Sequence, residues 1–489
     1  MLRKLDPSTK KKYRLVTCSI PLAMMIGAIT FAYKKGNFAE SPEERRMSSA
    51  EGCPAMASWE DSIGGALVFC LLMFYIFCGL AVICDDYFCE SLEKISEDLN
   101  LSEDVAGATF MAAGSSAPEL FVSFADNVLA EEPKSLGVGT IIGSAIFNIL
   151  IIIALTAALA GQELDLDYRP MARDSSWYAF SILLLVWSIF PDGDKTYGEV
   201  NTFESVVLVV AYVLYVLYMS QNAKIQAKFC GSSSDSGAAV PTDEKDAIDA
   251  AAAAVSVTDI EMSTVGEKSP EEDKDKEEEV KTGSWLSNYM QPLKWSSVAE
   301  EGASSKFWWI FSFPIQVAFR FTVPDCNDKF FERRRGFTTC FIMSIVWIGI
   351  LSHFLVEFAT KFGCIVGMPF PLMGLTIVAA GTSVPDAISS VVVAKSGQGD
   401  MAVSNAIGSN VFDILLGLGL PYFLSNVLKG KPVRVETEDL ISSVIVLFGV
   451  LIAVIAILVY SKWKLNPKVG MSLFGLYFAY VIFAYATQL

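Results

Sequence analysis

Long apolar runs with few charges fill most of the chain, and short polar connectors separate them. Five runs near 63–84, 105–129, 136–160, 175–190 and 203–219 have about the length of a bilayer-spanning helix. Five more follow near 337–358, 367–393, 401–423, 440–460 and 469–486. The acidic stretch Asp85-Asp86-Tyr-Phe-Cys-Glu90 is expected to end the first run. A further uncharged run, 15–33, follows a basic start carrying Arg3, Lys4, Lys10, Lys11, Lys12 and Arg14. That pattern fits either a cleaved signal peptide or a retained anchor helix. Residues 285–323 are rich in Trp and Phe, but Pro314 and Pro324 interrupt them. They read as an interfacial or re-entrant piece rather than a span.

The expected fold class is therefore an all-α polytopic membrane protein. An odd number of spans in each half makes the second half enter the bilayer in the opposite sense. The chain reads as two inverted-topology five-helix repeats, ten core transmembrane helices, with an N-terminal signal-anchor helix as a candidate eleventh. Four segments follow from this. Residues 1–62 are the basic start, the signal or extra helix and an exoplasmic loop. Residues 63–220 form the first repeat. Residues 221–336 form a cytoplasmic loop, and 337–489 the second repeat. The basic residues Arg333, Arg334, Arg335, Lys462, Lys464 and Lys468 fall on the side of the N-terminus, which is thus cytoplasmic. Cys53 and Cys364 fall together on the other side, where they can pair.

Composition supports this reading: the chain is 53% hydrophobic. The net charge of -17 is largely local, since 231–283 hold fifteen acidic residues against five Lys. That segment has too few large apolar residues to fold alone and is expected to be disordered. No nucleic-acid partner is implied; the lipid bilayer is the expected surroundings. Ten Cys without CxxC spacing suggest neither a zinc site nor a disulfide framework. Glu163 and Asp174 sit at loop edges and are expected to be solvated.

Two stretches repeat. Gly107-Ala-Thr-Phe-Met-Ala-Ala-Gly-Ser-Ser-Ala-Pro-Glu119 matches Gly374-Leu-Thr-Ile-Val-Ala-Ala-Gly-Thr-Ser-Val-Pro-Asp386. Gly143-Ser-Ala-Ile-Phe-Asn148 matches Gly408-Ser-Asn-Val-Phe-Asp413. A carboxylate inside such apolar runs is costly and by default marks an ion or substrate path. Pro118 and Pro385 each remove a helical hydrogen bond. Broken backbone at that depth is tolerated only inside protein or along a wet cavity. Hydroxyls, freed carbonyls and carboxylates from two helices suit hard cations such as Ca²⁺, which take six to eight oxygens. Na⁺ and K⁺ also take oxygens. The lone His353 offers no soft-metal set, so no resident cofactor is expected. Taken alone, Ser144 and Ser409 read as well as close-packing residues.

The paired motifs resemble the two alpha repeats of the cation/calcium exchangers, most closely the potassium-dependent sodium/calcium exchangers. Cys84-Asp-Asp-Tyr-Phe, Ser102-Glu-Asp-Val-Ala-Gly-Ala-Thr-Phe, Thr322-Val-Pro-Asp325 and Gly399-Asp-Met-Ala-Val-Ser404 extend the resemblance over about 63–220 and 307–487. It implies an antiporter, not an enzyme, moving Ca²⁺ with K⁺ outward against Na⁺ at a shared midplane site. It implies ion ligands at Ser115, Ser116, Glu119, Ser144 and Asn148, and at Thr382, Ser383, Asp386, Ser409 and Asp413. The plasma membrane is the expected location, with an organelle membrane as the other choice. A proton/calcium antiporter of the same superfamily is the alternative. An intramembrane aspartyl protease is disfavoured: Gly397-Gln-Gly-Asp400 fits its short motif, but the chain has no Tyr-Asp pair.

Overall fold

The computed structural model describes residues 19–30, 59–98, 112–130, 133–160, 162–190, 197–229, 303–324, 336–395, 397–436 and 438–488, with a few single positions besides. The segment 231–283 expected to be disordered lies outside the described residues, as do 1–18 and the head of the first motif, 107–111. Among the described residues, seven helices are long and apolar enough to cross a bilayer, and one pair bent by 45° makes an eighth.

In chain order, α1 is Ser19–Thr30 and α2 is Ile63–Ser96. Next, α3 covers 112–129, entering the motif part-way, and α4 is Leu136–Leu159. Then come α5 (Tyr168–Ile189), α6 (Thr202–Phe229), α7 (Ala303–Thr322) and α8 (Gly336–Val366). The bent pair, Phe370–Thr382 and Val384–Lys395, is α9. The last helices are α10 (Gly399–Lys429), α11 (Glu438–Tyr460) and α12 (Pro467–Gln488). The ten expected core helices are thus α2–α6 and α8–α12.

Three expectations need correction. The acidic stretch at 85–90 does not end α2. A π-turn at Cys84–Phe88 carries it, Asp85 is turned inward and is 3% exposed, and the helix runs on. Pro314 does not interrupt α7, which continues through it for 20 residues. Phe311 packs there at a tilt against Phe74 and edge-on against Tyr75 of α2, with ring centroids 5.4 and 5.2 Å away. Asp174 is not solvated. It is buried, takes two hydrogen bonds from Arg173 and one from Ser404, and tethers α5 to α10.

The connectors show how the helices alternate. Four short strands take part: β1 (Leu164–Asp165), β2 (Tyr197–Val200), β3 (Val433–Glu436) and β4 (Lys464–Leu465). On one face, Cys53 before α2 forms a disulfide with Cys364 near the end of α8, Cα to Cα 6.0 Å. On that face too, β2 after α5 pairs antiparallel with β3 after α10, Tyr197 opposite Glu436. Lys429 at the end of α10 donates to the Asn127 and Ala130 carbonyls at the end of α3, at 2.9 and 2.6 Å. On the other face, β1 after α4 pairs with β4 after α11, Leu164 opposite Leu465. Lys94 in the last turns of α2 donates there to the Cys326 carbonyl. So α2 leaves the Cys53 face while α8, its counterpart, arrives at it. The halves have opposed topology.

Packing repeats as well. Ser144 and Ser409, Phe147 and Phe412, Asn148 and Asp413, and Tyr212 and Tyr477 all lie 265 residues apart. Phe147 meets Tyr477 edge-on at 5.7 Å, and Phe412 meets Tyr212 edge-on at 5.5 Å. Each half thus lends its last helix to the other half's inner helix.

Candidate functional site

The centre is built by α3, α4, α9 and α10. Both motif helices break at the same place. Ser116 (φ -92°, ψ 10°) and Ser383 (φ -78°, ψ 6°) leave helical geometry just before the proline turns. Pro118 and Pro385 supply no N–H, so the carbonyls four residues back, Gly114 and Gly381, lose their helical donors. The kink also aims the carboxylate after each proline into the bundle. Glu119 and Asp386 are both fully buried.

The two motif helices can reach the centre because α4 and α9 cross at backbone contact. A Cβ on Gly143 would lie 2.3 Å from the Leu375 carbonyl oxygen, and one on Gly374 would lie 2.4 Å from that of Leu136. Small residues permit this approach. It brings Ser144 of α4 against Ser383 of α9, Oγ to Oγ 2.9 Å.

Each carboxylate takes a hydrogen bond from the opposite half, and Glu119 takes one from its own half as well. Glu119 Oε1 accepts from Ser383 Oγ at 3.2 Å and from Ser144 Oγ at 3.3 Å. Asp386 Oδ2 accepts from Asn148 Nδ2 at 3.2 Å, and Ser115 lies within hydrogen-bonding reach of the same carboxylate. Asn148 Nδ2 also lies 3.2 Å from Ser409 Oγ and 3.0 Å from Asn410 Oδ1. The Thr382 hydroxyl donates back to its own helix at the Val378 carbonyl, 3.1 Å away. Asp413 starts a π-turn in α10, fully buried, with Ser116 beside it. All ten residues singled out from the sequence are described, and all ten lie on these four helices around one centre.

Several oxygens here have no hydrogen-bond partner: Glu119 Oε2, Asp386 Oδ1, both Asp413 oxygens, Asn148 Oδ1 and Ser116 Oγ. Buried polar atoms are nearly always satisfied, so a concentration of unsatisfied acceptors calls for an explanation. Among the described residues, no Lys or Arg pairs with any of the three carboxylates. A cation held among these oxygens would account for both observations. The set is entirely oxygen, as hard cations require. Among the described residues no three His, Cys, Asp or Glu side chains converge as a metal cage. The carboxylates are spaced by hydroxyls and amides.

Asn410 escaped the sequence reading. Its Oδ1 accepts from Asn148, and its Nδ2 donates 3.3 Å to the carbonyl of Ala145, its counterpart in the first half. The only signal was a polar residue beside Ser409 that the matched stretch Gly143–Asn148 lacks. Asp400, the acid of the protease-like motif, accepts from the Asp167 backbone N–H at 2.7 Å, in the connector before α5.

The profile of the family described as Sodium/calcium exchanger protein matches residues 69–221 and 336–486. Sodium/potassium/calcium exchanger 4 of Homo sapiens is 32% identical, covering 86% of this chain and 81% of its own. Sodium/potassium/calcium exchanger 3 of Rattus norvegicus is 32% identical, covering 91% and 89%. Among solved structures, the H⁺/Ca²⁺ exchanger CAX aligns at TM-score 0.49 and 14% identity, covering 97% of this chain and 89% of its own.

Proposed function

The chain belongs to the sodium/calcium exchanger protein family, and we propose that the buried centre around Glu119, Asp386 and Asp413 is where its ions bind. The protein is an integral multi-pass membrane antiporter, exchanging Na⁺ for Ca²⁺ together with K⁺. The observation that carries the site is the set of buried, unpaired carboxylate oxygens from both repeats, with no basic partner among the described residues.

The division of labour follows from charge. Glu119 and Asp386 balance one divalent ion, or the same charge as monovalent ions. Ser115, Ser144, Thr382 and Ser383 supply further oxygens around them, and Ser116, Asn148 and Ser409 line the other flank. The opposed repeats let the site face either side by rocking about the broken helices. Ca²⁺ and K⁺ leave the cytoplasm while Na⁺ enters. The plasma membrane is the proposed location, and the Cys53–Cys364 disulfide suits the oxidising side of such a membrane. The loop 221–336 is cytoplasmic in this proposal.

Asp413 is the third charge, where the first half has the neutral Asn148. We assign to it the K⁺ that travels with Ca²⁺. Asp413→Asn makes the halves match and is expected to keep part of the Na⁺-driven Ca²⁺ flux while abolishing its need for K⁺. ⁴⁵Ca²⁺ flux in reconstituted vesicles over a K⁺ titration tests this. A variant that keeps the full K⁺ requirement removes Asp413 from the K⁺ site.

A further inference from the structure

The third charge has a neighbour outside the set of ten. Tyr178 of α5 is fully buried, and its hydroxyl has no hydrogen-bond partner. The helix that carries it packs along α10 and against the π-turn of Asp413. Tyr178 lies within reach of the Asp413 charge. Both oxygens of that carboxylate are also unpartnered. Two kinds of unsatisfied buried oxygen, one neutral and one acidic, therefore share the same interior region between α5 and α10.

The repeat supplies an internal control. The counterpart of α5 is α11, which packs along α4 and against the turn of Asn148. Buried and exposed positions run almost in step from 174 to 189 and from 443 to 458. In that register Ile182 matches Leu451, Leu185 matches Val454, Ile189 matches Leu458, and Tyr178 matches Leu447, all buried. So the half that faces Asp413 carries a hydroxyl where the half that faces Asn148 carries an aliphatic side chain. The extra charge and the extra hydroxyl occur together. Tyr212 offers no such contrast, because Tyr477 repeats it and meets its phenylalanine edge-on in the same way. A fully buried tyrosine hydroxyl normally finds a partner; that of Tyr178 has none and lies near the Asp413 carboxylate, whose two oxygens have none either.

We propose that the Tyr178 hydroxyl is a further oxygen of the Asp413 subsite and helps hold the monovalent cation that the second half accepts and the first does not. This rests on the assignment of Asp413 to K⁺. A phenol oxygen is a neutral, hard donor on a rigid ring. It adds a ligand without adding charge, which suits a monovalent ion already balanced by one carboxylate.

The test is the K⁺ concentration that half-saturates Na⁺-driven ⁴⁵Ca²⁺ flux in vesicles. Tyr178→Phe removes only the oxygen. It is expected to raise that concentration about tenfold, the size of losing one hydrogen-bonding oxygen from a charged partner. Flux lost at low K⁺ should return as K⁺ is raised, which a general packing defect would not do. Tyr178→Leu copies Leu447 and should behave alike; it serves if the Phe variant fails to reach the membrane. In an Asp413→Asn background, Tyr178→Phe should change nothing further in the K⁺ response. An unchanged half-saturating K⁺, or the same fractional loss of flux at every K⁺ concentration, overturns the role of Tyr178. If Asp413→Asn alone keeps the wild-type K⁺ response, the underlying assignment fails instead, whatever Tyr178→Phe does.

Discussion

Glu119→Gln and Asp386→Asn are each expected to lower Ca²⁺ flux at least about a hundredfold while the protein still reaches the membrane. The argument is one of charge in a buried place. A divalent ion entering the centre gives up its water, and only fixed negative charge compensates. Removing one of the two carboxylates leaves a net positive charge inside the protein, which is strongly unfavourable. Each 1.4 kcal/mol of lost binding is a factor of ten, so a hundredfold is a lower bound. The fold should tolerate the change. In Glu119→Gln the side-chain amide keeps an acceptor for the Ser144 and Ser383 hydroxyls that now meet Glu119 Oε1. Both substitutions also remove a buried charge that has no basic partner among the described residues, so the ion-free protein should melt no lower than wild type. Flux and thermal unfolding measured on the same preparation separate these effects. Near-normal flux at equal membrane abundance would remove that residue from the Ca²⁺ site.

Gly143→Ala is expected to be nearly as damaging, for a different reason. The new Cβ would stand 2.3 Å from the Leu375 carbonyl oxygen and 2.6 Å from its carbon. No rotamer relieves a clash with backbone, so α4 must move away from α9 by about an ångström. Overpacking of this kind costs roughly 1–3 kcal/mol. A displacement of that size in a site can cost about a hundredfold in rate. It would also part Ser144 from Ser383 and draw both from Glu119. Gly475→Ala on α12 is the control, because nothing lies within 4 Å of its added Cβ. Loss of flux in the first variant with the second unchanged is the expected outcome. Normal flux in Gly143→Ala would mean that this crossing is not fixed during transport.

Much of the architecture was legible because the chain states it twice. The matched motifs located the four central helices, and the odd number of runs per half set their opposed sense. What the sequence concealed was which polar residues turn inward. Asp85 and Asp86 read as a helix end, since adjacent charges usually mean solvent. A π-turn instead buries Asp85 and lets α2 continue. Asp174 read as a loop-edge charge, yet Ser404 and Arg173 partner it inside the bundle. Ser404 lies 230 residues away, beyond any local pattern. Asn410 and Tyr178 were hidden likewise. Only tertiary packing puts Asn410 on Asn148 and Tyr178 beside Asp413; Asn410 sits in a repeated motif but departs from its counterpart Ala145, and Tyr178 belongs to no motif. The departures from symmetry, which the repeat itself cannot announce, are where the two halves differ chemically.

The most direct test of the central claim is ⁴⁵Ca²⁺ uptake by vesicles reconstituted with the purified wild-type chain and loaded with Na⁺, with K⁺ outside present or absent, and with a pH gradient imposed separately. A site of this charge and donor set predicts uptake that needs both the outward Na⁺ gradient and external K⁺, and none from a pH gradient alone. Uptake driven by the pH gradient without Na⁺, or Na⁺-driven uptake indifferent to K⁺, would contradict it.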